Sequence, residues 1–424
     1  MRSARISRSG KILIASVGIL TVVLTACSSG GSSGGSKTTS GSSAASSTVP
    51  DVKETGVTAT TINLSSSQTL SGPGAASCKP QSDASSAWFD SINAAGGVQG
   101  RQIKYTVLDD GYDPARAIAN ARTLEPDNLL MVGECGSTTA AAIYKQLSAA
   151  GMPFLFPVNG VGNAVSPVTS GYFQLQPLYE DEVATMINYG FGQQGPGSVY
   201  AVVNPLGSYQ AVLDSAKSVS TAQGGSYAGG DETALGTPDY TPIAQKIKAA
   251  HPDYVVMSMG GTDYAKLINT LVQQNAMPSK LIMGVAASGA FLGAYDTSVA
   301  SKIRFASLAQ LPLDTTTACG KVLTGALASD PGAIQACAEA QMITTAIANT
   351  KPITRAGITK TIESWNNKDV APGVIAPVTF SATQHLGTTT LYVVQPVGQS
   401  SWLSLAKCPY GSSATSKTCT AVSK

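Results

Sequence analysis

Leu129-Leu130-Met131-Val132-Gly133-Glu134-Cys135-Gly136-Ser137-Thr138-Thr139-Ala140-Ala141-Ala142 reads as a strand, a tight turn and a helix. Leu129–Val132 is an apolar run long enough for a buried strand. Gly133 and Gly136 bracket Glu134 and Cys135 and let the chain turn sharply. Ser137, Thr138 and Thr139 then open an alanine-rich helix that runs to Leu147. In an open α/β sheet such a turn lies at the carboxyl end of its strand, where ligands bind. Hydroxyls and free N–H groups at a helix N-terminus suit a carboxylate or another anion. Taken alone, the turn is an ordinary helix cap. What gives it weight is that the flanking chain repeats the pattern.

Upstream, Thr61–Leu64 starts a β-branched run, and Ser71-Gly72-Pro73-Gly74 makes a turn. Ala84–Ala94 reads as a helix stopped by Gly96-Gly97. Ile103–Leu108 alternates as a strand, Asp109–Pro114 forms the next loop, and Ala115–Leu124 the next helix. Pro153–Phe156 supplies a fourth strand. Strands alternating with helices imply βαβ units, a parallel sheet and right-handed crossovers.

Downstream the same rhythm returns. Helices are expected at Glu180–Gly190, from Gln210, at Pro242–Ala250 and at Ala265–Gln274. Strands are expected at Ser198–Val203, Tyr254–Met259 and Leu281–Gly284, most ending in a Gly- or Ser-bearing loop such as Asn204–Tyr209. The chain is expected to cross between two lobes near Leu178, Leu308 and Pro377, with a helix around Ala333–Asn349 and a late strand at Leu391–Val394. Three crossings make a hinge that permits closure. The fold class expected is therefore α/β, two Rossmann-like lobes with parallel sheets joined by a three-segment hinge. The expected lobes are residues 57–176 with 310–376, and 177–309 with 377–407, followed by a C-terminal tail, 408–424.

The chain has 424 residues, only 12% of them charged, and a net charge of +2. Its basic residues are scattered, which argues against a nucleic-acid partner. Residues 1–27 read as a signal peptide: Arg2, Arg5, Arg8 and Lys11, then the apolar Ile12–Leu24, then Leu24-Thr25-Ala26-Cys27. The last four resemble the bacterial lipobox, in which the cysteine becomes a lipidated N-terminus. Residues 28–56 are mostly Ser, Gly, Thr and Ala and read as a flexible tether.

Of seven cysteines, six follow Cys27. An even number in an exported chain favours disulfides. Spacing suggests Cys319–Cys337 and Cys408–Cys419 as local loops, which leaves Cys78–Cys135. With two histidines and no Cys-x-x-Cys, no metal site is expected. Asp109, Asp110 and Asp113 lack the spacing of a calcium loop and read as a solvated loop with a helix cap. No cofactor is expected.

Three runs carry a resemblance: Ser71–Ser77 (SGPGAAS), Asn93–Ala117 (NAAGGVQGRQIKYTVLDDGYDPARA) and Val132–Ala140 (VGECGSTTA). Together they are similar to the leucine/isoleucine/valine-binding protein family. These are type I periplasmic binding proteins, the ligand receptors of ABC importers. The similarity spans about Thr58 to Val397, and its most specific part is Ile92–Pro114. The resemblance implies an extracytoplasmic, lipid-anchored, monomeric receptor that hands a small molecule to ABC permease subunits. It places Cys78 and Cys135 in loops at one edge of the first lobe.

The resemblance also implies a ligand site. The first lobe would hold a carboxylate through Gly136, Ser137 and Thr138 and through Val158, Asn159 and Gly160, with Ser77 on the same edge. Tyr209 matches a tyrosine that covers the ligand, and Thr262 a residue in a Gly-Gly loop. Ala286 stands where the family has an acidic residue for the ligand's ammonium. A desolvated ammonium without a counter-ion costs several kcal/mol. The ligand expected is therefore a small carboxylate, amide or aromatic acid. A branched-chain amino acid is the alternative, and a ligand-sensing ectodomain without transport is another. A lipid-anchored hydrolase would need a base. His251 is expected at the edge away from the cleft and His385 in a surface turn, so an enzyme is not expected.

The lipobox reading makes a direct prediction. Metabolic labelling with a palmitate analogue should tag the wild type and not Cys27→Ala. Equal labelling of both would end the lipoprotein assignment.

Overall fold

Two sheets organise the chain, and each gathers its loops at its carboxyl edge. The computed structural model describes residues 53–133, 135–204, 208–410 and 419–422. The expected signal peptide, Cys27, residues 28–52 of the tether, Glu134, Pro205-Leu206-Gly207 and most of the tail lie outside the described residues.

The first lobe contains β1 (Thr61–Gln68), α1 (Ala75–Ala94), β2 (Gln102–Asp109), α2 (Pro114–Leu124), β3 (Leu130–Val132), α3 (Ser137–Ala149), β4 (Phe154–Leu155) and β5 (Tyr172–Phe173). Its sheet is parallel throughout, in the order β2-β1-β3-β4-β5. The second lobe continues with α4 (Tyr179–Gln194), β6 (Ser198–Val203), α5 (Tyr209–Ala222), β7 (Ser226–Glu232), α6 (Thr241–Ala250), β8 (Tyr254–Ser258), α7 (Gly261–Gln273), β9 (Leu281–Gly284), α8 (Gly289–Leu292) and β10 (Ile303–Ser307). The chain then returns to the first lobe as α9 (Ala318–Val322), α10 (Pro331–Asn349) and α11 (Arg355–Glu363), where α10 packs on α1. It ends in the second lobe as β11 (Thr390–Val397), β12 (Ser401–Pro409) and β13 (Thr420–Ala421).

Strands such as β6, Ser-Val-Tyr-Ala-Val-Val, are apolar along their length because helices cover both faces of a parallel sheet. The second sheet is not wholly parallel, however. Its order is β13-β12-β11-β10-β9-β8-β6-β7, and β11, β12 and β13 pair antiparallel at one edge. The short connection between Val397 and Ser401 allows a hairpin and no crossover helix. Cys408 therefore belongs to β12 and not to a tail, and its bond to Cys419 ties β13 back to that strand.

The bridges Cys78–Cys135, Cys319–Cys337 and Cys408–Cys419 are all formed. Two boundaries differ from the sequence reading. Helix α1 starts at Ala75, so Ser77 and Cys78 sit in its first turn and not in a loop. The stretch before Ala84 contains Pro80, which reads as a helix breaker, and carries no apolar stripe, which hid the helix. The presumed tether joins the fold before residue 56: Glu54 bridges Val57, and its carboxylate accepts the Arg355 N–H at 3.3 Å.

The end of β1 explains how the loops are held. Ser65, Ser66, Ser67 and Gln68 are buried polar residues whose side chains tie down neighbouring turns. Ser66 Oγ donates to the Val132 carbonyl at 3.1 Å, and the Cys135 N–H donates to Gln68 Oε1 at 3.2 Å. Ser67 and Thr69 hydroxyls donate to the two oxygens of Asp110 at 3.0 and 2.8 Å. Asp110 is therefore buried, contrary to the reading of its loop as solvated, while Asp113 does cap α2 through the Ala115 N–H. Asp109 accepts from Leu70, Ser71 and Gly111. Burial raises its pKa, but these bonds and Arg116 outweigh that and hold the carboxyl well below the usual range.

The Cys78–Cys135 bridge closes a separation of 57 residues between α1 and the turn before α3. Loop closure of that length removes about 4 kcal/mol of unfolded-state entropy. Replacing both cysteines by alanine should lower the urea midpoint accordingly; an unchanged midpoint would show that the polar end of β1 suffices.

Candidate functional site

A cavity of about 130 Å³ lies where the carboxyl edges of the two sheets face each other. Both sheets reverse strand order there, β1 against β3 and β6 against β8, and such switch points open crevices. The first lobe contributes Pro73, Ser77 and Gln81 from the start of α1, Tyr112 after β2, and Cys135, Gly136 and Ser137 before α3. The second contributes Met259–Gly261 after β8 and Ala286–Ser288 after β9. The back wall comes from the crossings themselves, Gln176 in the first and Ser307 and Leu308 in the second.

The lobes meet at the lip. Ser288 Oγ lies 3.4 Å from Ser77 Oγ, and a Cβ on Gly261 would collide with the same Ser77 hydroxyl. Glycine is needed at 261 because the opposing lobe approaches that closely. Asp330, buried at the start of α10, accepts the Gly332 and Ala333 N–H groups and also the Gly289 N–H of the second lobe.

Six helix N-termini open here, those of α1, α3, α4, α7, α8 and α10, and their charges are met differently. Asp330 caps α10, and α7 carries Asp263 in its first turn. Helix α3 has no acidic residue in its first turn and no side-chain cap, since Gly136 occupies that place with φ 154°. Like α1, it leaves its partial positive charge uncompensated. Ser137 stands at that end, its hydroxyl 2.9 Å from the Tyr179 hydroxyl. The Tyr179 ring lies over Gly160, where any Cβ would fall 2.5 Å from it. Burial keeps the Tyr179 phenol protonated far above its ordinary range, in spite of the Ser137 bond.

Of the residues named from the resemblance, Ser77, Gly136, Ser137, Val158 and Ala286 line the cavity. Thr138, Asn159, Gly160, Tyr209 and Thr262 do not. Thr138 and Thr262 are each one helical step past the lining residue. Asn159 is buried as a turn residue, bonding the Tyr172 hydroxyl and the Val161 N–H. Gly160 serves as the seat for Tyr179. Tyr209 opens α5 but is 39% exposed, and the tyrosines at the cavity are Tyr112 and Tyr179. His385 is a correction as well: it is 1% exposed, stacked on Phe173 in the third crossing, and not a surface residue. His251 is exposed at the end of α6.

The residue that the sequence reading missed is Glu182. It lies in the first turn of α4, among Glu180, Asp181 and Glu182, a pattern that reads as ordinary acids near a helix start. Yet it is 1% exposed and lines the cavity. Its carboxyl accepts the Ala286 N–H and, at 3.1 Å, Gln176 Nε2. Ala286 has a left-handed φ of 50°, which few residues other than glycine adopt. The premise that Ala286 leaves this wall without a carboxyl is therefore wrong: an acid reaches it from another element. Gln335 Nε2 extends the network, 3.5 Å from Gln176 Oε1 and 2.9 Å from Glu339 Oε1 on α10.

Burial pushes Glu182 up to about 8, and Asp181 and Glu180 add to that against the bonds from Ala286 and Gln176. Burial likewise raises Glu339 to about 8, opposed by Gln335. Between the ordinary 4.5 and about 8, the folded protein keeps protons that the unfolded chain has released. Stability then falls as pH rises across that window. Glu182→Gln should leave the ligand-free protein's stability nearly unchanged at pH 4.5 and raise it at pH 8. The gap should grow by on the order of 1 kcal/mol per pH unit. A gap independent of pH in urea titrations would contradict the assignment.

A family model described as periplasmic binding protein matches residues 61–400. A search of curated protein sequences returns no match. Among solved structures, the fold is similar to a fatty acid ABC transporter substrate-binding protein from Thermomonospora curvata, with 19% identity, a TM-score of 0.74, and 85% of this chain and 95% of that one covered. It is also similar to a branched-chain amino acid ABC transporter protein from Thermus thermophilus with bound valine, with 16% identity, a TM-score of 0.73 and coverages of 84% and 97%. A third is the branched-chain amino acid transporter substrate-binding protein of Streptococcus pneumoniae in complex with isoleucine, at 18% identity, a TM-score of 0.66 and coverages of 81% and 99%. These likenesses show the fold. With the family model spanning both lobes and the cavity between them, the chain belongs to the periplasmic binding protein family, two-lobed α/β receptors that bind ligands and are not enzymes.

Proposed function

We propose that this chain is the extracytoplasmic, lipid-anchored receptor of an ABC importer. It captures a small organic ligand bearing a carboxylate by closing its lobes about the three crossings, and it presents that ligand to permease subunits. The observation that carries the reading is the α3 N-terminus, which opens uncapped onto the interlobe cavity beside the Ser137 and Tyr179 hydroxyls. A carboxylate there would gain backbone N–H donors and the helix dipole. The similar structures named for fatty acids, valine and isoleucine concern ligands that all carry a carboxylate. Cys27 with the Ser- and Gly-rich segment after it supports anchoring at the outer face of the cytoplasmic membrane.

The sequence expectation of an acid or amide without an ammonium rested on Ala286. Glu182 removes that reason, so the carboxylate is the part of the expectation retained.

Native mass spectrometry of the gently purified protein should reveal a co-purifying carboxylic acid. Ser137→Ala should weaken that compound about tenfold, the worth of a lost hydrogen bond to a charged group. A co-purifying neutral sugar, or an affinity unchanged in Ser137→Ala, would contradict the reading.

A further inference from the structure

Tyr410 joins the end of the chain to a wall of the cavity without lining it. It follows β12 directly, beyond residues 61–400 that the family model spans, and it is 9% exposed. Its main-chain N–H donates to the carbonyl of Thr389, at the end of the third crossing, at 3.0 Å. Its hydroxyl accepts the Leu178 N–H at 2.9 Å and donates to Asp181 Oδ2 at 2.9 Å. Cys408, two residues earlier, is bonded to Cys419, so the strand end that carries the phenol is itself tied down.

The two partners on α4 are not arbitrary. Leu178 is the N-cap of that helix and has no side-chain bond of its own to offer. Asp181 stands three residues on, the place from which a longer acid reaches back to the N-cap N–H in a capping box. Here the Tyr410 hydroxyl bridges that gap, taking the N–H on one side and giving its own proton on the other. Burial, with Asp181 adding to it, keeps the phenol protonated far above its ordinary range, so it stays a donor. Tyr179 and Glu182 each follow one of the two anchored residues, and both line the cavity.

We infer that Tyr410 is a positioning residue for ligand capture: it ties the first crossing to the third and fixes the α4 turn that presents Tyr179 and Glu182 to the cavity. The inference does not depend on the carboxylate reading, since it concerns the wall and not the chemistry of what the wall meets. Loss of the hydroxyl is a local event. Leu178 and Asp181 are both part-exposed, so water can take over their bonds at little cost to the whole fold, but water does not hold the turn in one place.

The test compares full-length wild type with Tyr410→Phe, which keeps the ring and the main-chain bond to Thr389. Both are unfolded, dialysed and refolded to strip bound ligand. Hydrogen exchange should be about tenfold faster in Tyr410→Phe at the Leu178–Glu182 amides, the scale of one lost hydrogen bond to a charged group. The amides of α6 in the same lobe should keep their wild-type rates, and the thermal midpoint should stay close to that of the wild type. Calorimetry then uses valine and octanoate as carboxylate probes. Whichever binds the wild type should bind Tyr410→Phe about tenfold more weakly. Wild-type exchange at the α4 turn overturns the inference. So does faster exchange spread equally over α6 with a lowered midpoint, the mark of a merely structural residue, and so does an unchanged affinity. Where neither probe binds the wild type, the exchange rates alone decide the role of Tyr410, while the carboxylate reading loses both probes.

Discussion

The chain passes between its lobes three times, and the geometry of those crossings constrains everything around the cavity. The first and third pair through Gln174 and Leu386, and the second pairs with the third through Ala309 and Ile375. Main-chain bonds such as Gln174 N–H to the His385 carbonyl, 2.8 Å, and Gly387 N–H to the Gln174 carbonyl, 3.0 Å, bind the segments together. His385 adds a stacked ring on Phe173 and bonds to Thr169 and Glu363. A seam held this way can bend while staying in register, which is what lobe closure requires. It also places Gln176, Ser307 and Leu308 at the back of the cavity, so the crossing segments themselves form part of its wall.

From that seam a row of buried polar groups runs into both lobes. Gln176 bonds Glu182 on one side and Gln335 on the other, and Gln335 bonds Glu339. Each link is an amide bonded to a carboxyl or another amide, so no charge is needed to satisfy the row. Neutral, such a network is tolerable in the interior; ionised, it is costly. Burial in this row is the physical reason that the carboxyls of Glu182 and Glu339 are pushed up to about 8. The polar end of β1 serves the opposite wall. Its serines and Gln68 fix the turns after β2 and β3, and the Cys78–Cys135 bridge fixes α1 to the second of them, so Ser137 and Tyr112 are presented by stapled loops.

The fold was legible because its signals are local: apolar runs ended by glycine or serine turns, and helices between them. The three disulfides were legible from spacing. The antiparallel edge of the second lobe was not, since β12 and β13 follow the last helix and pair by return of the chain. At the cavity, residues in strand-end turns were found, Ser77, Gly136, Ser137, Val158 and Ala286. Tyr209 does not line the cavity, because matching a residue to a role says nothing of which way the following helix points. Glu182 was invisible for a physical reason: three acids in a first turn look alike in sequence, and only packing tells that Glu180 and Asp181 border it while Glu182 is enclosed. The serine run Ser65–Ser67 with Gln68 did carry a signal, since polar residues ending a strand between apolar neighbours ask for partners.

The claim on which the rest depends is that the interlobe cavity is the place where the ligand's carboxylate is held. A crystal structure of protein purified without stripping tests it most directly. The account predicts density for a small molecule in the cavity with its carboxylate against the Ser137 hydroxyl and the α3 N–H groups. A ligand bound elsewhere, for instance on the exposed face around Tyr209, would contradict it, as would a cavity filled by water alone while mass spectrometry of the same sample shows bound ligand.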